Sequence, residues 1–415
     1  MSKIETNTID NISGSSALQI GDTNTATIGL GKSGDTITVP SGATITNSGT
    51  ATNFTSYRPN AQALIINGNM DVWQRGTGTV TTTGDYVGVD RFRISEDTDG
   101  SFSTERHTMS NAEFTTTGFG YALQADCTGT DASIGATQTA EITQKIEAQN
   151  LQLLQYGTSN AKNLTLAFWV KSSKTGTYCV AIRKRDSTSY DIPIEYTISS
   201  ADTWEKKVIN ISPTAGSTSL ITSSGGVIDN NNGDGLHVTF CLAIGSNFQG
   251  TNNTWVAASK LCTSNQVNWM DSTSNDFYLT GVQLEVGEYT SSTLPPFQHE
   301  SFGDNLLRCQ RYLEFSSDYG ATYTSGVNSC VIMDMTSGSH PLYFPISYNT
   351  YKRAAPTMTF YNGNDGATGT WRTNAATDVS ISGTSISSQG FTTNSSDLGG
   401  DGRSSNGTWK AESEL

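Results

Sequence analysis

Residues Asn163 to Ser173 read NLTLAFWVKSS, and residues Gly176 to Arg185 read GTYCVAIRKR. In both, apolar and polar side chains alternate over about ten residues, and Lys174-Thr175 separates them. Alternation with a period of two is the signature of a strand with one covered face, and a short polar break between two such runs is a hairpin. The same texture recurs as RFRIS (91–95), YALQA (121–125), KKVINIS (206–212), LHVTFCLAIGS (236–246) and FYLTGVQLEVG (277–287). Strand lengths and spacing of this kind predict a two-sheet sandwich of the jelly-roll type. The sequence therefore reads as all-β, with the sandwich over 61–300.

Composition supports that class. Of 415 residues only 15% are charged, 41 are glycine, and Ser, Thr and Asn run through nearly every segment. Short strands and polar turns have this composition, whereas helical enzymes are richer in Glu, Lys, Leu and Ala. A net charge of −14 argues against nucleic acid as a partner, because phosphate binding needs a concentrated basic surface. Arg183-Lys184-Arg185 is the longest basic cluster and reads as a solvated strand end. No apolar run approaches the ~18 residues of a membrane helix, and MSKIETNTID lacks the apolar stretch of a signal peptide. Membrane insertion is not expected, and synthesis in a cytoplasm is.

Two other regions flank the sandwich. In residues 1–60 the large apolar side chains Ile20, Ile28, Ile37, Ile45 and Phe54 recur at spacings of 8 or 9, with glycines between them. One isoleucine per short strand buries too little area to offset chain entropy. Such a β-repeat is expected to be a shaft in which several chains share one core. Gly29, Gly31 and Gly34 in this segment spell G-x-G-x-x-G, but GDTITVPSG follows, with Pro40. No helix N-terminus is available to hold a phosphate, so the match is read as turns. At the other end, Pro295-Pro296 closes the sandwich and DNLLRCQRYLEF (304–315) predicts a short helix with Asp304 as N-cap. CVIMDM (330–335), HPLYFPISY (340–348), PTMTFYNG (356–363), TDVSISG (377–383), SSQGFTT (387–393) and TWKAESEL (408–415) then predict a second, smaller β domain over 301–415. Within the sandwich, AEITQKIEAQNLQLLQYG (140–157) predicts a short helix around Leu151, with its first half open to helix or strand.

Motifs for chemistry are sparse. Cys127, Cys179, Cys241, Cys262, Cys309 and Cys330 form no C-x-x-C pair, and the four histidines are far apart. These spacings suit buried thiols rather than a zinc site or a disulfide framework. No nucleophile elbow or H-E-x-x-H motif is present, and no carboxylate pair stands out. Neither a catalytic residue nor a cofactor is assigned. Asp97, Asp99 and the run Asp229–Gly235 offer oxygens for a cation, but neither stretch completes a calcium loop, and turn formation accounts for both. Tryptophan is the sharper lead, because indole faces stack on sugar C–H surfaces. Trp169 and Trp204 lie within strand patterns and are read as core. Trp255, Trp269 and Trp371 lie in loop-like stretches and are the candidate glycan contacts, with buried anchoring of the loops as the alternative.

Seven stretches in register carry a family resemblance: LIINGNMDVWQRGT (64–77), VDRFRIS (89–95), LTLAFWVKSSKTGTY (164–178), TWEKK (203–207), LTGVQLEVG (279–287), LPPFQHESFGDNLLRCQRYLEF (294–315) and KRAAPTMTFYN (352–362). In this order, and with the closing WKAESEL, they resemble a family of bacteriophage tail-fibre and virion-surface proteins common in marine and environmental phages. The resemblance implies a non-enzymatic homotrimer with a carbohydrate-binding-like jelly roll and a distal C-terminal β tip. It implies residence in the virion, attachment through the N-terminus to a tail or adaptor protein, and recognition of host-surface glycan or lipopolysaccharide. It supplies no standard set of sugar-contacting residues. Two alternatives stand beside it: a head-attached or decoration fibre with a purely structural role, and a glycan depolymerase.

Overall fold

In a computed structural model, residues 63–81, 84–320, 330–333, 342–395 and 404–415 are described. The isoleucine repeat and the proposed virion-attachment segment lie outside them. Ten strands build the first part: β1 (Phe92–Glu96), β2 (Ser101–Thr108), β3 (Tyr121–Gly129), β4 (Thr139–Glu147), β5 (Leu164–Ser172), β6 (Gly176–Lys184), β7 (Tyr190–Ile198), β8 (Glu205–Ile211), β9 (Asp234–Ile244) and β10 (Asp276–Val286). They form two antiparallel five-stranded sheets, in the orders β2-β3-β10-β5-β8 and β1-β4-β9-β6-β7. The pairs β3/β4, β5/β6, β7/β8 and β9/β10 split between the sheets, which is the winding of a jelly roll. The all-β expectation holds.

Alternation explains why the sheets face each other. In β5, Leu164, Leu166, Phe168 and Val170 enter the shared core. Phe168 meets Tyr196 of β7 and Phe240 of β9 edge-on, with ring centres 5.1 and 5.0 Å apart. Each such fully buried apolar side chain contributes roughly 1.5–3 kcal/mol. The first half of 140–157 is strand β4, and a 3-10 helix over Ala148–Leu154 then buries Leu151.

Among the described residues, two α-helices interrupt the strands. Helix α1 (Asn111–Thr117) was not anticipated from the sequence. It starts with a capping box, in which Ser110 accepts from the Glu113 N–H and Glu113 accepts from the Ser110 N–H, and it ends on Gly118 at φ 82. Helix α2 (Phe302–Gln310) is the expected short helix, but it begins earlier than predicted. Ser301 is the N-cap and accepts from the N–H of Asp304, so Asp304 is a first-turn acid rather than the cap.

The remaining strands are β11 (Leu313–Phe315), β12 (Cys330–Met333), β13 (Leu342–Ser347), β14 (Thr357–Asn362), β15 (Thr370–Thr373), β16 (Asp378–Thr384), β17 (Gly390–Ser395) and β18 (Ser404–Glu412). They make a third, eight-stranded sheet, with a core of Phe360, Trp371, Phe391 and Trp409. Residues at the end of β18 lie against the sandwich. Arg75 pairs with Glu412 and Glu414 at 2.7 and 3.2 Å, Arg91 pairs with Glu414, and Lys145 donates to the Leu415 carbonyl at 2.7 Å.

Candidate functional site

The alternation that fills the core also decides what each sheet shows outside. On β5, the residues between the core positions are Thr165, Ala167, Trp169 and Lys171. On β10 they include Asp276, Tyr278 and Thr280, on β3 Gln124 and Asp126, and on β2 Ser103, Glu105 and His107. Strand register aligns them in rows. Glu105, Gln124, Tyr278 and Lys171 stand side by side, Ser103, Asp126 and Asp276 form the next row, and Trp169 stands between Thr280 and Lys206. An aromatic patch thus borders a cluster of carboxylates and an amide on one flat face.

A single carboxylate ties the patch together. Glu113, on α1, accepts from Lys171 Nζ at 2.8 Å, from Trp204 Nε1 at 3.0 Å and from the Ser110 N–H at 3.0 Å, and its Oε2 lies 3.1 Å from His107 Nε2. Burial alone would raise its pKa. Hydrogen bonds from Lys171, the Ser110 N–H, Trp204 and His107 outweigh burial and hold this carboxyl well below the usual carboxylate range. So anchored, the Lys171 ammonium sits 4.0 Å from the centre of the Tyr278 ring and 5.3 Å from that of Trp204. His107 and Trp204 meet Tyr278 edge-on at 5.0 and 6.1 Å. Tyr278 and Trp204 are 9% and 8% exposed, so Lys171 and α1 cover most of their faces. Trp169 is more open, being only half-buried.

Backbone geometry holds Trp169 in place. Its neighbour β10 carries a bulge between Thr280 and Gln283, and Gly281 in the bulge has φ 60. A Cβ at Gly281 would lie 2.5 Å from the Phe119 ring and 3.1 Å from Trp169, so glycine lets both aromatics close on the backbone. At the acidic end, Asp126 stands directly opposite Asp276. Burial pushes the Asp126 carboxyl up, the amide of Gln124 draws it down, and Glu105 and Asp276 push it up further. Like charges placed opposite each other cost stability. Among the described residues Glu105, Asp126 and Asp276 form no ion pair, and each already accepts a hydrogen bond: Glu105 from the Thr79 hydroxyl, Asp126 from the Gln124 amide at 2.8 and 3.0 Å, and Asp276 from the Ser173 N–H at 2.8 Å, so only their remaining lone pairs can accept from a hydroxyl donor.

The outer face of the other sheet differs. Leu261 and Cys262, from the segment after β9, cover Cys179, Ala181 and Cys241 in a small apolar cluster. Beside it, polar side chains mostly satisfy one another: Arg183 pairs with Asp191 at 3.1 Å, His237 with Asp234 at 2.7 Å, and Thr143 donates to Thr239 at 3.0 Å. Glu141 is the exception, and burial pushes its carboxyl up. This face shows no aromatic patch.

The tryptophans singled out in the sequence exchange places. Trp255, Trp269 and Trp371 are 1%, 0% and 0% exposed. Their indole N–H groups donate inward, to the carbonyls of Ser212 (2.8 Å), Asp276 (3.0 Å) and Thr408 (3.4 Å). No ring face reaches solvent, so the three anchor loops and cores instead of offering a sugar platform. Trp371 is not even in a loop, because β15 runs through it. Trp204 is buried as expected, in a small cluster with Met109, Ala122 and Tyr278, whereas Trp169, also expected in the core, is only half-buried on the outer face of the sheet. Strand parity carries that signal: with Leu164, Leu166, Phe168 and Val170 inside, Trp169 must be outside. Asp97 accepts from the Thr139 N–H at 2.5 Å, and Asp131, from the turn after β3, accepts from the Asp99 N–H at 3.2 Å. These are turn bonds. Among the described residues no group of three His, Cys, Asp or Glu side chains is arranged to hold a metal ion.

No family model and no curated protein matches the chain. Among solved structures it is similar to the carbohydrate-binding module TmCBM61 in complex with beta-1,4-galactotriose, at 12% identity and a TM-score of 0.26, over 55% of this chain and 99% of that one. A family 11 carbohydrate-binding module from Clostridium thermocellum, in complex with a beta-1,3-1,4-mixed-linked tetrasaccharide, aligns at 13% identity and a TM-score of 0.25, over 52% and 99%. The enzymatically active domain of tailspike protein 4 from bacteriophage CBA120 aligns at 12% identity and a TM-score of 0.26, over 54% of this chain and 21% of that chain.

Proposed function

We propose that the outer face of β2, β3, β10 and β5 binds glycan without catalysis, and that the chain is a homotrimeric virion fibre that recognises host-surface saccharide. Its N-terminal segment docks on a tail or adaptor protein, and the assembled fibre resides in the virion. One observation carries the binding assignment: a half-buried indole, Trp169, on the same outer sheet face as the side chains of Gln124, Asp126 and Glu105. The indole face takes the C–H side of a sugar ring while Gln124, Asp126 and Glu105 take hydroxyls. The tail-fibre part rests on the seven-motif resemblance and on the isoleucine repeat of residues 1–60. Threefold assembly multiplies weak single sites into firm attachment through effective concentration.

The test is Trp169→Ala in a glycan-array or adsorption-inhibition assay. Loss of one stacking contact is worth about 1–2 kcal/mol, so affinity falls roughly tenfold. Unchanged binding by this variant rejects the site. A second reading, hydrolysis, draws on the opposed carboxylates Asp126 and Asp276. Release of reducing ends from a bound polysaccharide, abolished by Asp276→Asn, would replace the binding-only assignment.

A further inference from the structure

The third sheet meets helix α2 across a cleft that the reading above does not use. Its volume is about 480 Å³, within the ~300–1,000 Å³ typical of small-molecule sites. Leu306 and Gln310 of α2 form one side, Glu314–Gly320 from β11 onward another, and Ile346, Ser347 and Asn349 at and just past the end of β13 a third, with Trp409 and Gln74 completing the lining.

The lining chemistry narrows the ligand. Phe315, Tyr319 and Trp409 supply aromatic surface, and Leu306 and Ile346 add aliphatic surface. Between them, the side chains of Gln310, Ser317, Ser347 and Asn349 make no hydrogen bond among the described residues. These four groups come from three separate chain segments, so a ligand meeting them all carries hydroxyls on several edges. Among the described residues no lysine or arginine lines the cleft, and its charged lining side chains are the carboxylates Glu314 and Asp318. Glu314 is neutralised by Lys352, which is itself 2% exposed and donates to the Gln310 carbonyl at 2.6 Å. A phosphate, sulfate or uronate would therefore find no cation to pair with. A planar heterocycle would leave the separated amides unmet. We infer that this cleft is a second saccharide site, independent of the Trp169 face, that takes a neutral one- or two-residue sugar.

Saturation-transfer NMR on the full chain tests this with methyl glucoside, methyl galactoside and N-acetylglucosamine as probes and glucuronate as the anionic control. The expected result is binding of at least one neutral probe at roughly 1–10 mM. That binding weakens at least fivefold in the Gln310→Ala/Asn349→Ala variant and persists in Trp169→Ala. Both substituted side chains are at least partly exposed, and circular dichroism verifies that the variant is folded. Three outcomes overturn the assignment: no neutral probe binds in this range, glucuronate binds as well as the neutral sugars, or binding disappears in Trp169→Ala and survives in the cleft variant.

Discussion

Replacing Glu113 by Gln perturbs the candidate site through one atom set and gives a measurable pH signature. The carboxylate faces Lys171 from β5, Trp204 from the turn before β8, His107 from β2 and Ser110 at its own helix cap, with bonds of 2.8–3.1 Å. A glutamine oxygen keeps one or two of these and turns an NH₂ group toward the others. Hydrogen bonds to a charged group are worth about 1.5–3 kcal/mol each, and the 18% exposure of this side chain screens part of that. The expected net loss at pH 7 is about 2–3 kcal/mol. The native carboxyl lies well below the usual range while the unfolded one titrates near ~4.3, so the stabilisation is complete above about pH 5. It is lost as the pH falls, by about 1.4 kcal/mol per unit below the unfolded value. Urea unfolding of both proteins, followed by tryptophan fluorescence, reads the difference. The gap between them should shrink by nearly 2 kcal/mol between pH 7 and pH 3. A gap that stays constant with pH, or one below about 0.5 kcal/mol at pH 7, refutes the picture of an anchored carboxylate.

Other expectations follow from the same geometry. Arg91 is 1% exposed, donates to Glu414 and to the Lys145 carbonyl at 2.8 Å, and stacks 3.4 Å from the centre of the Tyr312 ring. Arg91→Leu leaves Glu414 only its 3.2 Å pair with Arg75 and removes the stack on Tyr312, and should cost about 2–3 kcal/mol in urea unfolding, less than the loss of a sole buried partner; a loss under about 1 kcal/mol contradicts a tight clamp between β18 and the sandwich. Gly281→Ala forces a side chain into φ 60 and against Phe119 and Trp169. It should cost about 1–3 kcal/mol and weaken glycan binding by tilting Trp169, whereas wild-type affinity would show that the bulge does not position the indole. Burial pushes the Cys179 thiol up to about 11 and Cys262 up to about 12, and holds Cys241 well above its ordinary value. At pH 8 the three should resist iodoacetamide until the chain is unfolded, and rapid alkylation of the native protein would show that the cover over Cys179, Ala181 and Cys241 opens.

Strands announce themselves in this chain because their signal is local. NLTLAFWVKSS alternates over its whole length, and β5 runs from Leu164 to Ser172 as the pattern implies. The short helix α1 carries an equally local signal, Ser110-x-x-Glu113 followed by Gly118, but no apolar periodicity surrounds it to mark a helix. Helix α2 was legible, but its cap was not. Asp304 and Ser301 are both good caps by residue type, and only the bond to the Asp304 N–H chooses between them. The GTWRTN stretch around Trp371 reads as a loop because glycine and asparagine flank it. Pairing with β16 and β18 makes it a strand, which is a long-range fact that no window of sequence contains.

The tryptophans mark the boundary between what a residue type says and what its neighbours decide. Indole is equally suited to a core and to a sugar, so composition ranks Trp169 and Trp255 alike. Parity separates them: once Leu164, Leu166, Phe168 and Val170 are assigned inward, Trp169 and Lys171 must face out together. What parity cannot supply is whether something covers the outer face. On the β4-β9-β6 side Leu261 and Cys262 cover part of it, and an apolar cluster is the result. On the β3-β10-β5 side α1 arrives over one end only, with Glu113 drawing Lys171 across Tyr278 and leaving Trp169 half-buried. A purely structural face would replace the opposed Asp126 and Asp276 with pairs that do not repel. Both acids are nonetheless held from within the protein, Asp126 by the Gln124 amide at 2.8 and 3.0 Å and Asp276 by the Ser173 N–H at 2.8 Å, so local hydrogen bonds offset the repulsion and the half-buried Trp169 is the side chain of this face that the core does not claim.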